Sequence, residues 1–331
     1  MRQYSNLVRY VLEHGTRKEN RTGIDVLSVF NYNYKHDLRE GFPLLTTKSI
    51  SWKNIVVEML WFLSGATDIA ILKRHGCNFW DAWAHPETGE VPSAYGSFWR
   101  HFPTHRIEPA VPDFFPGGEP VLRPNFNDQI RWVLDELKRN PMSRRMVVSA
   151  WAPGNAQTSK LPPCHCLFMF NVQNEEREEL GSWGGPGFGH DGSGTEQKVT
   201  KQRLCLHLTQ RSCDVALGVP YNIASYALLL ELFSRFSGIE PGIFGHTLVD
   251  AHIYTAKPDG SKAEYDHVPG LKEQIARGLR RLPRLIISDQ IKDLSDIEKL
   301  MAPEVTTEEV MKHFVLEGYD PWPALSFKVA V

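Results

Sequence analysis

No run of about 18 consecutive apolar residues occurs anywhere in the sequence, so no membrane-spanning helix is expected. Charge of either sign is not in excess: 37 lysines and arginines stand against 39 aspartates and glutamates, a formal charge of −2. That balance provides no global basic field for nucleic acid or for an anionic membrane surface. Cysteine is scarce, with five in 331 residues, at Cys77, Cys164, Cys166, Cys205 and Cys213. Their spacing forms no disulfide framework in a chain of this length, so reduced thiols and a cytoplasmic setting are expected. The opening Met1-Arg2-Gln3-Tyr4-Ser5 lacks the apolar stretch of a secretory signal. No internal repeat and no linker between two cores is evident. A single α+β domain over residues 1–331 is therefore expected, decorated by insertions at about 107–122 and 175–200.

What the chain does have is core material, with 42% hydrophobic and 11% aromatic residues. Apolar periodicity predicts helices over 4–15, from Trp52 to Leu63, over Thr67 to His75, over Asn127 to Lys138, and from Asn222 onward. Strands are predicted at Val26 to Tyr34, Ser143 to Trp151, Leu167 to Val172, Leu204 to Gln210, Phe244 to Tyr254 and Arg284 to Ser288. The proline-rich stretch 103–124 reads as loop. The acidic run Glu175 to Glu179, followed by seven glycines between Gly181 and Gly194, reads as a flexible insertion between two strands. It lacks the lysine–serine or lysine–threonine ending of a P-loop.

The chemistry concentrates in Leu161 to Leu230, where a thiol, a guanidinium, a carboxylate and a carboxamide stand on or beside core elements. Polar groups are costly near a core unless they are paired or used. Three readings of the thiols are open. Cys164 and Cys166 with His165 suggest a metal, but no second ligand pair stands at a zinc-like spacing. A cysteine–histidine acyl-transfer site would draw on His207, His246 or His252, because His165 should face away from Cys164. The third is a Cys164 nucleophile beside Arg211, whose positive charge would raise the thiolate fraction. Elsewhere, Glu58 lies within an apolar helix, either on its surface or as a partly buried acid. Arg144 and Arg145 at a strand entrance suit a phosphate or an ion pair, and Arg21 reads as an ordinary loop residue.

Several motifs in order carry a resemblance: Asn20-Arg21-Thr22-Gly23, Gly41-Phe42-Pro43-Leu44-Leu45-Thr46-Thr47-Lys48, Glu58-Met59-Leu60-Trp61-Phe62-Leu63, Trp80-Asp81, Ser143-Arg144-Arg145, Pro163-Cys164-His165, Gln210-Arg211-Ser212-Cys213-Asp214-Val215, Gly218-Val219-Pro220-Tyr221-Asn222-Ile223-Ala224-Ser225-Tyr226, Asp250-Ala251-His252-Ile253-Tyr254 and Gly318-Tyr319-Asp320-Pro321. From Met1 to Val331 the chain resembles thymidylate synthase. The resemblance implies an α+β fold with a large mixed sheet packed with helices, one sheet face lying at the interface of a homodimer. It implies that Cys164 adds to C6 of a uracil ring and that 5,10-methylenetetrahydrofolate, with no metal, is the co-substrate. Arg21, Arg211 and Ser212 would bind the 5′-phosphate together with Arg144 and Arg145 of a second subunit. Gln210 and Asn222 would meet the nucleoside, Asn222 reading the ring's N3–H and O4, with His252 and Tyr254 on the 3′-hydroxyl. Glu58 would relay protons through water, and Tyr95 would assist loss of the C5 proton. Asp214 would orient the folate among Phe79, Trp80, Trp83, Leu161, Leu217, Gly218 and Tyr221. Lys48 would meet the folate tail, and Val331 would fold over the site. The chain departs from the usual pattern at Ala82, Phe98, Thr209, Tyr221 and Thr255-Ala256-Lys257-Pro258. These departures keep a hydroxymethylase acting on dUMP, CMP or dCMP, in which water replaces the final hydride, as the alternative activity.

Overall fold

The computed structural model describes residues 1–20, 22–108, 121–156, 160–180 and 196–329. Helix α1 (Arg2–His14) buries Tyr4, Leu7, Val8 and Val11, the stripe that helical periodicity selects. Strands β1 (Thr16–Lys18) and β2 (Asp25–Asp37) pair antiparallel. Helix α2 (Trp52–Ser64) starts where the Ser51 hydroxyl accepts from the Asn54 N–H and stops at Gly65, whose φ of 76° few other residues adopt. Helix α3 (Ala70–Arg74) is shorter than the expected Thr67–His75. Helix α4 (Tyr95–Arg100) packs tightly on α2, and Gly96 permits it. A Cβ there would stand 2.7 Å from the Phe62 carbonyl oxygen.

The proline-rich stretch corrects the expectation of loop. Strands β3 (Phe102–Glu108) and β4 (Val121–Asn127) pair as a two-stranded ribbon that includes Pro103 and Pro124. Both strands are edges, where a missing N–H can face outward at no cost to the ladder. The chain continues through α5 (Gln129–Arg139), capped by Asp128, then β5 (Val147–Ser149) and the single turn α6 (Pro153–Ala156).

The long pair β6 (His165–Leu180) and β7 (Glu196–Gln210) follows. The acidic run is therefore strand rather than irregular insertion, paired in register out to Leu180 opposite Glu196. Its first member is tied down, since Glu175 accepts from Arg39, and buried Arg203 donates twice to Asp37 alongside. The glycine-rich residues 181–195 lie outside the described residues. After the short β8 (Cys213–Asp214) comes α7 (Gly218–Ser237), which begins a turn earlier than the expected Asn222. Pro220 suits a first helical turn, where its missing N–H has no partner to lose. The remaining elements are β9 (Glu240–Thr255), α8 (Val268–Ala276), β10 (Arg284–Ile287), α9 (Leu294–Leu300), α10 (Thr307–Lys312) and β11 (Phe314–Glu317).

The main sheet runs β1-β2-β9-β7-β6-β5, with β8 also paired to β9. It is mixed: β7 and β8 run parallel to β9, and the other pairs are antiparallel. Helix α7 is the crossover between the parallel β7 and β9. Being apolar nearly all round, it is buried along most of its length. Buried apolar side chains from Met1 to Phe314 form one contiguous cluster. Among the described residues no helix is long and apolar enough to cross a membrane.

Candidate active site

Sheet order brings one end of several strands together. Cys164 directly precedes β6, Gln210 ends β7, and His165 is the register partner of Gln210. The backbone closes the corner, with the Arg211 N–H donating to the Cys164 carbonyl at 2.9 Å. The Arg211 guanidinium folds back, donating from Nε to the Pro163 carbonyl (3.0 Å) and from Nη2 to the Pro162 carbonyl (2.7 Å). It also lies 5.5 Å from the centre of the Trp151 ring. Two prolines supply those carbonyls because their rings hold the approach to Cys164 extended.

The Tyr95 hydroxyl accepts from the Cys164 N–H at 2.9 Å and from the His165 N–H at 3.3 Å. The His165 ring stacks on Tyr95 at 4.6 Å, turned into the core as strand alternation requires. From α2, Glu58 reaches the same region, its carboxylate accepting from Trp80 Nε1 at 2.7 Å. Burial pushes the Glu58 carboxyl up to about 7, against the opposing hydrogen bond from Trp80. Of the two expectations for this residue, the partly buried acid is the one observed.

Asp214 caps the entry to α7, its Oδ1 accepting from the backbone N–H groups of Ala216 (2.9 Å) and Leu217 (3.0 Å). Lys48 is buried, with Nζ donating to the Ala216 carbonyl at 2.7 Å and lying 4.7 Å from the Phe327 ring centre. Burial pushes its ammonium down to about 8, opposed by the nearby charge of Asp214. His252 pairs across to Asp214 in the β8–β9 register and sits against Tyr254 at 5.4 Å. Its Nδ1 lies 3.3 Å from Asp250 Oδ1. Burial alone would raise the Asp250 carboxyl, but His252, Lys18 and Ser28 hold it well below the usual carboxylate range.

Phe79 and Tyr221 meet edge to face at 5.1 Å. A cavity of about 560 Å³ opens between Trp83, Ala84, His85, Val91, Lys160 and Leu161. Apolar and aromatic walls with a few polar groups suit a flat heterocycle of drug-like size. Ser212, Leu217, Gly218 and Asn222 are half-buried around the start of α7, while Arg144 and Arg145 are exposed ahead of β5. Arg21 and Val331 lie outside the described residues.

Tyr34 was not foreseen as a participant, and the histidines proposed for a thiol have other partners. His246 joins Tyr34 and Gln210 instead of a thiol, while His207 bonds Thr247. Tyr34 carried no local signal. His246 carried a weak one, since strand alternation places it on the buried face, where a polar ring needs partners. Among the described residues no group of three His, Cys, Asp or Glu side chains is arranged to hold a metal ion.

Fold and site together define a class: an α+β enzyme whose mixed sheet and buried crossover helix bring a thiol and a partly buried acid to one end of the strands. The thymidylate synthase family model matches residues 2–331, and the chain belongs to that family. Its members transfer one-carbon units to C5 of pyrimidine nucleotides and generally use methylenetetrahydrofolate.

Proposed function

We propose that this protein methylates C5 of dUMP to give dTMP through a covalent bond between Cys164 Sγ and C6 of the ring. The observation that carries the reading is the enclosed Glu58 carboxyl, held on Trp80 at 2.7 Å with its pKa near 7, in the cleft where Tyr95 meets the Cys164 backbone. An acid poised near neutrality passes a proton in either direction at working pH.

The thiolate of Cys164 adds to C6, and the electron pair of the C5–C6 bond moves toward O4, leaving C5 nucleophilic. The Asn222 amide meets the charge developing on O4, and Glu58 supplies and withdraws protons there through water. Once C5 carries the one-carbon unit, Tyr95 assists removal of the C5 proton as the folate nitrogen leaves, and Cys164 departs from C6 when the hydride arrives, which restores the ring double bond. Arg211, Ser212 and Arg21 hold the 5′-phosphate with Arg144 and Arg145 of a second copy, guanidinium forks matching phosphate geometry. His252, fixed by Asp250, and Tyr254 hold the 3′-hydroxyl. Methylenetetrahydrofolate, when bound, supplies the one-carbon unit and the reducing hydride. Phe79, Trp80, Trp83, Leu161, Leu217, Gly218 and Tyr221 would hold it, with Asp214 orienting it, Lys48 toward its tail and Val331 closing the site.

We further read the chain as one domain, which the single contiguous core supports. A homodimer through the outer sheet face is supported by exposed Phe30 on β2 and by the cross-strand pair Val147–Met169. Five free cysteines fit a reducing, cytoplasmic setting.

The test offers dUMP, UMP, dCMP and CMP with methylenetetrahydrofolate, weighing the product while following dihydrofolate absorbance. Methylated dUMP with stoichiometric dihydrofolate is expected. A product one oxygen heavier, released with tetrahydrofolate, would replace this reading with a hydroxymethylase.

A further inference from the structure

A line of buried polar side chains runs from β2 across β9 and β7 to the start of α7. The Tyr34 hydroxyl lies 2.8 Å from His246 Nδ1, and His246 Nε2 lies 3.0 Å from Gln210 Oε1. Gln210 Nε2 donates at 3.0 Å both to the Ser212 carbonyl and to Asn222 Oδ1. Tyr34, His246 and Gln210 are 9%, 0% and 3% exposed, so each bond is shielded from water that could replace it.

Every proton in this line has one permitted place. The Ser212 carbonyl can only accept, so the Gln210 amide must turn its NH₂ toward Ser212 and Asn222. Its Oε1 then needs a donor, and His246 Nε2–H is the one in reach. Burial, reinforced by the neighbouring His165 and His207, pushes the His246 pKa well below the ordinary value, so the ring carries a single proton. With that proton on Nε2, Nδ1 is an acceptor and takes the Tyr34 O–H, which burial keeps protonated. At the other end Asn222 must offer Oδ1 to Gln210. Its NH₂ is left for a ligand.

We propose that Tyr34 and His246 are positioning residues that, through Gln210, fix the Asn222 amide with its NH₂ toward the base and so select a pyrimidine carrying a carbonyl, not an amino group, at C4. The inference rests on Asn222 being the base-reading residue of the proposed function. An NH₂ facing a 4-amino group leaves two donors opposed and neither satisfied. A flipped Asn222 would accept from that amine, but its Oδ1 would abandon Gln210.

The test measures dissociation constants of dUMP and dCMP by calorimetry, without folate, for the wild type, His246→Leu, His246→Gln and Tyr34→Phe. The wild type is expected to prefer dUMP. His246→Leu frees the Gln210 amide and should cut the preference about tenfold, the worth of one misdirected buried hydrogen bond. His246→Gln keeps a donor for Gln210 and should recover most of it, and Tyr34→Phe should cut it about threefold by releasing Nδ1. In turnover, KM for dUMP should rise more than kcat falls. A wild type that prefers dUMP, with Tyr34→Phe and any folded His246→Leu within twofold of its ratio, would overturn the relay. A wild type that prefers dCMP would overturn the reading of Asn222 itself, a separate and recognisable result.

Discussion

Replacing Glu58 by glutamine should make the protein more stable at alkaline pH and nearly inactive. An ordinary glutamate titrates near 4.5, and burial pushes the Glu58 carboxyl up to about 7. Below pH 4.5 both folded and unfolded chains hold the proton, and the carboxyl makes stability no more pH-dependent. Between 4.5 and 7 the unfolded chain releases it while the folded chain keeps it, so stability falls as pH rises. Above 7 the folded chain carries a buried carboxylate and the full penalty is present. The separation of about 2.5 units, at about 1.4 kcal/mol each, is worth roughly 3 kcal/mol. Glutamine still offers an oxygen to Trp80 Nε1, so the hydrogen bond survives and only the titration is removed. Urea unfolding of wild type and Glu58→Gln at pH 4.5 and pH 8.5 measures the difference. The variant's advantage should be near zero at the lower pH and about 3 kcal/mol at the higher. Turnover of Glu58→Gln should fall about 10²- to 10⁴-fold, the range for loss of a general acid–base group. An advantage that does not change with pH, or that shrinks as pH rises, would show that Glu58 is not an enclosed acid.

Trp80→Phe removes the one hydrogen bond that lowers the Glu58 pKa, so the Glu58-dependent limb of the pH–rate profile should move alkaline by about half a unit or more. Cys164→Ser should lose about a thousandfold or more in turnover while calorimetry still shows dUMP binding, since the nucleophile and not the anchor is removed. Arg144→Ala should raise KM for dUMP, and mixing that chain with Cys164→Ser should restore part of the activity; absence of complementation would count against arginines shared across a dimer. Shortening the β6–β7 hairpin to the pair Glu176–Thr200 with a two-residue turn should leave kcat and KM within about twofold, because substitutions remote from a site rarely alter it. A loss above tenfold would place the hairpin at the cleft.

Helices α2 and α7 were legible because their apolar patterns are long and strong, and β9 because it is rich in β-branched and aromatic residues. The 103–124 ribbon was not, since prolines normally argue for loop and only its two-edged pairing makes Pro103 and Pro124 harmless. Strand β6 outran its expected end because charged residues are tolerated in a ladder that leaves the core. The burial of Glu58 was undecidable from its neighbours Val57 and Met59: what encloses and bonds it is Trp80, on a separate segment. Roles for Cys164, Asn222 and His252 came from the resemblance, while local patterning alone left a thiol with several possible electrophiles. The Tyr34–His246–Gln210–Asn222 line was invisible for the same reason as Glu58. Its members are distant in sequence and meet only through the β2–β9–β7 order.

That strand order also decides what can reach the chemistry. Because β6 runs antiparallel to β7, the start of one and the end of the other share an edge of the sheet, which is where Cys164 and Arg211 meet. Because β7 and β8 run parallel to β9, the carboxyl ends of all three face that same edge, which adds Asp214, His252 and Tyr254. Helix α7, the crossover between β7 and β9, brings its first turns there with Asn222, the position at which parallel units commonly bind ligands. The other end of the hairpin, Leu180 opposite Glu196, lies fifteen residues further along β6 from His165. At about 3.4 Å per residue that is roughly 50 Å of strand. The described part of the 175–200 insertion thus lengthens the sheet away from the cleft. On the proposed function, the fate of the methylene falls to the groups around the near edge, Trp80 and Tyr95 among them.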